Sequence, residues 1–169
     1  MNSGTLVGSL IFAAVLVVVI AVVIQLMMRA WRRRAQQQAE LIGTLPEMPG
    51  QVSMATITTR GVYVGCTVEP AWSERITAGD LGYRSKAVLT RYPEGIMMER
   101  VRAQPIWIPQ KSIMAIRIER GIAGKVVARI GILVIRWRLP SGIEIDTGFR
   151  ANQRDDYATW LESQEERYP

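Results

Sequence analysis

From Asn2 to Met28 the chain has no Asp, Glu, Lys or Arg. Within that span "LVGSLIFAAVLVVVIAVVIQLMM" has Gln25 as its only strongly polar side chain. At about 1.5 Å per residue such a run makes a helix of roughly 35 Å, enough to cross a hydrocarbon core of about 30 Å with some tilt. A core helix of a soluble domain would show a polar face, and this one has none. A cleavable signal peptide has a basic start and an apolar stretch of about 7 to 15 residues. Here no basic side chain precedes the run, and the run is longer. The pattern predicts a transmembrane helix, with residues 1–28 forming a short external N-terminus and the span.

Positive charge follows at once. "RAWRRR" places Arg29, Arg32, Arg33 and Arg34 at the exit, with Trp31 suited to the membrane interface. By the positive-inside rule this end faces the cytoplasm, so the N-terminus lies outside and everything after Arg34 inside. The four arginines also attract anionic headgroups, at about 1 kcal/mol each close to the surface. "RAWRRRAQQQAELI" is rich in helix formers and can continue the helix. "GTLPEMPG", Gly43 to Gly50, stops it with two prolines and two glycines, so 29–50 reads as a basic juxtamembrane segment and linker.

From Gln51 the period shortens to that of β-structure. "VSMATITT" and "GVYVGCTV" meet at Arg60-Gly61 and read as a hairpin. "EPAWSERITAGDLGYRS" has a loop's composition, with Trp72 and Leu81 as packing anchors. "KAVLTRY", "GIMMERV", "QPIWIP", "SIMAIRIE", "GILVIRWRL" and "GIEIDTGF" follow, the last two separated by the turn Pro140-Ser141-Gly142. Alternation puts Ile116 and Ile118 on one face with Met114. It sets Ile143, Ile145 and Thr147 against Glu144 and Asp146, read as a solvated face. In "NQRDDYATWLESQEERYP", Asn152 is the expected N-cap, Asp155 and Asp156 suit the first turn, and Arg167 suits the last. Tyr157, Trp160 and Leu161 share one face of this amphipathic helix. The fold class is therefore mainly β: an N-terminal transmembrane helix, then a small β-barrel over 51–169 closed by a C-terminal helix.

Charge and chemistry narrow the function. The net charge is +6, yet the juxtamembrane arginines supply much of it, and the rest of the chain intersperses acids with bases. That argues against a nucleic-acid partner, which requires a basic stripe. There is no histidine and a single cysteine, Cys66. Neither a Ser-His nor a Cys-His pair exists, and a structural zinc site lacks its ligands. Cys66, in the apolar "GVYVGCTV", reads as a buried structural thiol. No cofactor fingerprint is found and no enzymatic activity is expected. "ERGIAGKVVARIG", Glu119 to Gly131, ends like a phosphate-binding loop. However, the required first glycine falls at Glu119 and the metal-holding hydroxyl at Val126. With Arg120, Lys125 and Arg129 around the apolar Val126 and Val127, it reads instead as a candidate surface for a partner or an anionic lipid. The plainer account is a long connection with solvated charges.

The succession of short strands before a helix bearing Trp160 resembles the pleckstrin-homology (PH) fold. More narrowly, "GVYVGCT", "DLGYRSKAVLT", "GIAGKVV" and "DTGFR", in that order, resemble a family of actinobacterial single-pass membrane proteins with a cytoplasmic PH-like domain. The resemblance implies a bacterial plasma-membrane location and a binding platform, but the fold alone does not decide function. Phosphoinositide-binding members of the PH fold carry a basic cluster in their first hairpin, whereas "TTRGV" offers Arg60 alone. A non-enzymatic scaffold or regulatory subunit with a membrane-associated protein partner is the expectation. An anionic-lipid binder and an accessory subunit of an export or transport system are the alternatives.

Overall fold

The computed structural model describes residues 3–68, 75–122, 125–126 and 131–165. Contacts divide the chain into two compact units, 1–37 and 38–169. Helix α1 (Ser3–Ile42) is continuous and free of proline, and its section Val7–Arg33 is long and apolar enough to cross a membrane. None of that section is buried, so its Val, Ile and Leu side chains stand exposed all round. Water tolerates so large an apolar surface poorly, whereas lipid is its natural solvent.

The second unit begins within the last turn of α1. Ile42 is buried in its core and Leu45 packs partly against it. "GTLPEMPG" does end the helix, with Gly43 at a φ of 65° donating its N–H to the carbonyl of Ala39.

Nine strands follow among the described residues: β1 (Ile57–Val68), β2 (Ser85–Tyr92), β3 (Gly95–Arg100), β4 (Ile106–Pro109), β5 (Ile113–Glu119), β6 (Gly121–Ile122), β7 (Lys125–Val126), β8 (Ile132–Arg138) and β9 (Glu144–Ala151). Seven form one antiparallel sheet in the order β4-β3-β2-β1-β9-β8-β5, and β6 pairs with β7 in a separate ribbon. One cluster of buried side chains draws on all seven sheet strands, so the sheet rolls around its own core. Trp137, Trp160, Tyr63 and Phe149 are its largest fully buried members. Helix α2 (Asp156–Glu165) packs on β1 and β5, which are not neighbours in the sheet.

Three sequence expectations are corrected. Arg60-Gly61 is not a turn, and 52–56 are not strand. β1 runs straight through, with Gly61 opposite Ala87 on one side and Ala151 on the other. The glycine serves close approach instead: a Cβ there would lie 2.2 Å from the Arg150 carbonyl oxygen and 2.7 Å from Phe149. Secondly, a bulge between Ile113 and Ala115 shifts the phase of β5. Ile113 and Ile116 point into the core, while Met114 and Ile118 are 46% and 43% exposed. Thirdly, α2 starts at Asp156, because the N–H of Asn152 is used on the Arg60 carbonyl beside β9. Tyr157 and Trp160 are buried and Leu161 half-buried, as their shared face implies. Leu81 is buried as expected, while Trp72 and Arg167 lie outside the described residues.

Candidate functional site

Registry across four strands assembles a surface on the outer face of the sheet. Val62 of β1 stands between Arg150 of β9 and Lys86 of β2. Val101 comes next, its N–H on the Lys86 carbonyl. Two residues along, Arg60 stands opposite Val88, and Val88 opposite Glu99 of β3. Paired residues share a face, so these form two rows: Arg150, Val62, Lys86, Val101, and below them Arg60, Val88, Glu99. At about 4.8 Å per strand, Lys86 and Arg150 flank Val62 roughly 10 Å apart.

The result is a valine floor with three cations and one carboxylate. An open groove of about 440 Å³ runs over it, lined by Arg60, Lys86, Val88, Glu99, Val101 and Asn152. None of the three cations makes an ion pair among the described residues. The sequence hid this patch because its members come from four separated segments. The visible signal was a basic residue in each of β1, β2 and β9.

The other half of the outer face is closed upon itself. Asp146, read from sequence as solvated, is 4% exposed. It accepts from Arg136 Nε at 2.9 Å and Nη2 at 3.0 Å, and from Arg117 Nη2 at 2.5 Å. Arg117 also meets Glu119, and Arg138 meets Glu144 at 2.7 Å. Burial alone would push the Asp146 carboxyl up, but the hydrogen bonds and charge of Arg136 and Arg117 outweigh it and hold it low. Asp146 and Glu144 are thus each paired with arginine, and no group of His, Cys, Asp or Glu among the described residues could hold a metal ion.

Inside the core a line of polar groups is fully satisfied. Trp137 Nε1 donates to Thr147 Oγ1 at 2.9 Å, Thr147 lies 3.2 Å from Cys66 Sγ, and Tyr63 Oη donates to the Leu81 carbonyl at 2.6 Å, with Cys66 Sγ 3.1 Å away. Burial pushes the Cys66 thiol up, against the smaller pull of the Thr147 and Tyr63 hydrogen bonds, so it stays a neutral structural group as the sequence implies.

The residues singled out in "ERGIAGKVVARIG" are divided. Arg120 is exposed between β5 and β6, and Lys125 and Val126 form β7; Val127 and Arg129 lie outside the described residues. The connection contains the β6–β7 ribbon, and β6 runs beside β1 and β8. A small second cluster of Val64, Ile132 and Val134 is buried on those two strands. Arg29, Arg32, Arg33 and Arg34 lie on α1 with Trp31, which is exposed.

A family described as bacterial PH domain-like matches residues 42–165, almost the whole second unit. The chain belongs to that family. No curated protein and no solved structure matches it. The match begins at Ile42, the first helix residue buried in the core, so the PH-like domain includes the end of α1. Seven antiparallel strands followed by a helix bearing a buried tryptophan are the architecture the resemblance implied. Arg60, by contrast, lies mid-strand in this PH-like domain, beside Lys86 and Arg150, and not in a first hairpin.

Proposed function

We propose that this protein is a non-enzymatic scaffold or regulatory subunit of a membrane-associated complex. On this reading α1 is a single-pass anchor in a bacterial plasma membrane, with the N-terminus outside and the PH-like domain in the cytoplasm. The Arg29–Arg34 cluster supports that orientation. The observation that carries the functional reading is the two-row surface of Arg60, Lys86 and Arg150 over Val62, Val88 and Val101. Cations without acidic partners above an apolar floor complement a protein segment that alternates acidic and apolar side chains. Apolar contact then supplies affinity and charge supplies register and on-rate. A photo-crosslinker placed at Val88 in the native membrane should join one protein partner. Charge reversal at Lys86 and Arg150 should abolish that product. Crosslinking only to lipid would sink the reading.

A second reading, an anionic-lipid binder, is favoured by the same three cations. It differs in what it requires of the floor: headgroup binding would survive replacement of Val62 and Val88 by threonine and weaken steeply with salt. Flotation of the full-length protein's proteoliposomes against added anionic vesicles separates the two.

A further inference from the structure

The guanidinium of Arg100 is buried without a counter-charge among the described residues. The residue, at the end of β3, is 7% exposed. Its Nε donates to the Gln104 carbonyl at 2.8 Å and its Nη1 to the Asp80 carbonyl at 2.7 Å, and its Cζ lies 4.8 Å from the centre of the Tyr63 ring. Nη2 is buried and has no hydrogen-bond partner. No carboxylate among the described residues lies within ion-pair distance, and that of Asp80 accepts instead from the Gln104 N–H at 3.1 Å. Carbonyls and a ring face supply partial charge only, whereas an ionised group taken out of water needs a full opposite charge to recover its lost hydration.

Arg100 borders the groove described above and also lines a second open cleft, of about 350 Å³. The remaining wall is mostly apolar: Ile42 and Leu45 from the end of α1 and the residues after it, Ala78 and Leu81 from the β1–β2 connection. Asp80 and Gln104 are the polar side chains beside them, and the Asp80 carboxylate is already engaged by the Gln104 N–H. One missing negative charge next to an apolar trough defines an amphiphile with a single anionic head. Chain length adds a source. Ala39, on the same wall, follows the apolar section of α1 by only six residues, a tether of at most about 20 Å even if fully extended. The source, though not the chemistry, rests on α1 being a membrane anchor.

We infer that this cleft binds an anionic amphiphile, whose carboxylate or phosphate completes Arg100 while its acyl chain lies on Ile42, Leu45, Ala78 and Leu81. Gln104 sets the polarity of the entrance. No covalent step is involved.

The test uses the full-length protein in a nonionic detergent, melted with oleate, dioleoyl phosphatidate, oleyl alcohol or inorganic phosphate. Oleate or phosphatidate in about hundredfold excess over its Kd should raise Tm by about 5–10 °C, and oleyl alcohol by less than about 1 °C. Response to oleate alone assigns a fatty acid; response to phosphatidate alone assigns a phospholipid. Arg100→Gln should lose the response. As a control against loss of folding in that variant, Gln104→Glu is the second arm: it adds a carboxylate beside Arg100, should raise the Tm of the unliganded protein, and should abolish the response. Equal shifts with oleate and oleyl alcohol, the full shift with phosphate alone, no shift at all, or a shift retained in Gln104→Glu would each overturn the assignment. None of these readouts depends on a protein partner, so failure here is distinct from failure of the scaffold reading.

Discussion

The indole Nε1 of Trp160 donates to Thr59 Oγ1 at 2.9 Å, joining the C-terminal helix to the first strand across 101 residues of sequence. Both residues are buried, and α2 also reaches the sheet through Tyr157, whose hydroxyl donates to the Gly131 carbonyl and accepts the Ala151 N–H. The helix is therefore part of the core, and its removal should unfold the domain. Trp160→Ala should cost about 3–5 kcal/mol, and Trp160→Phe less, since the ring volume largely remains. Thermal melting of the full-length variants in detergent checks the order. Near-native stability of Trp160→Ala would show that α2 is peripheral.

Gly61 should tolerate no side chain. A Cβ at 2.2 Å from the Arg150 carbonyl oxygen meets backbone, which cannot rotate away. Overpacking of this kind costs about 1–3 kcal/mol or more. Gly61→Ala should lower Tm markedly, whereas Gly8→Ala, with nothing within 4 Å, should leave it unchanged.

Asp146 sets an acid limit on stability. Its folded-state pKa is depressed below the roughly 3.9 of an unfolded aspartate. Its contribution is therefore fully present above that value and is lost as pH falls through the lower folded value. Asp146→Asn should destabilise the domain at neutral pH by about 2–3 kcal/mol, removing the carboxylate that Arg117 and Arg136 share, and should flatten the fall in stability below pH about 4. Melting curves between neutral and strongly acidic pH measure both effects. An unchanged acid limb would assign it to other carboxylates.

Cys66 should be chemically silent in the native protein. It is fully buried and its pKa is pushed up. N-ethylmaleimide at about pH 8 should leave it unmodified by mass spectrometry until denaturant is added. Rapid labelling of the folded chain would contradict the packing around Tyr63 and Thr147.

Much of the fold was legible because its signals are local. The apolar run of α1, the strand sequence from Lys86 to Phe149 and the shared face of Tyr157 and Trp160 each lie within one short segment. What escaped depends on contacts distant in sequence. Gly61 looks like turn glycine, and only the approach of Arg150 and Phe149 explains it. The β5 bulge moved Met114 out, since alternation assumes an uninterrupted ladder. Asp146 looks solvated until Arg117 and Arg136 arrive from two other strands. The cationic valine surface was missed for the same reason: Arg60, Lys86 and Arg150 become neighbours only through registry.

The central claim is that this surface holds a protein partner at the membrane. The most direct test is purification of the tagged full-length protein from its native membrane in mild detergent, beside a Lys86→Glu, Arg150→Glu variant that melts at the same temperature. The account expects one protein in stoichiometric amount with the native chain and its loss, by about tenfold or more, with the variant. If the native chain comes out without a protein partner, or the variant retains its partner undiminished, the scaffold reading of this surface is contradicted.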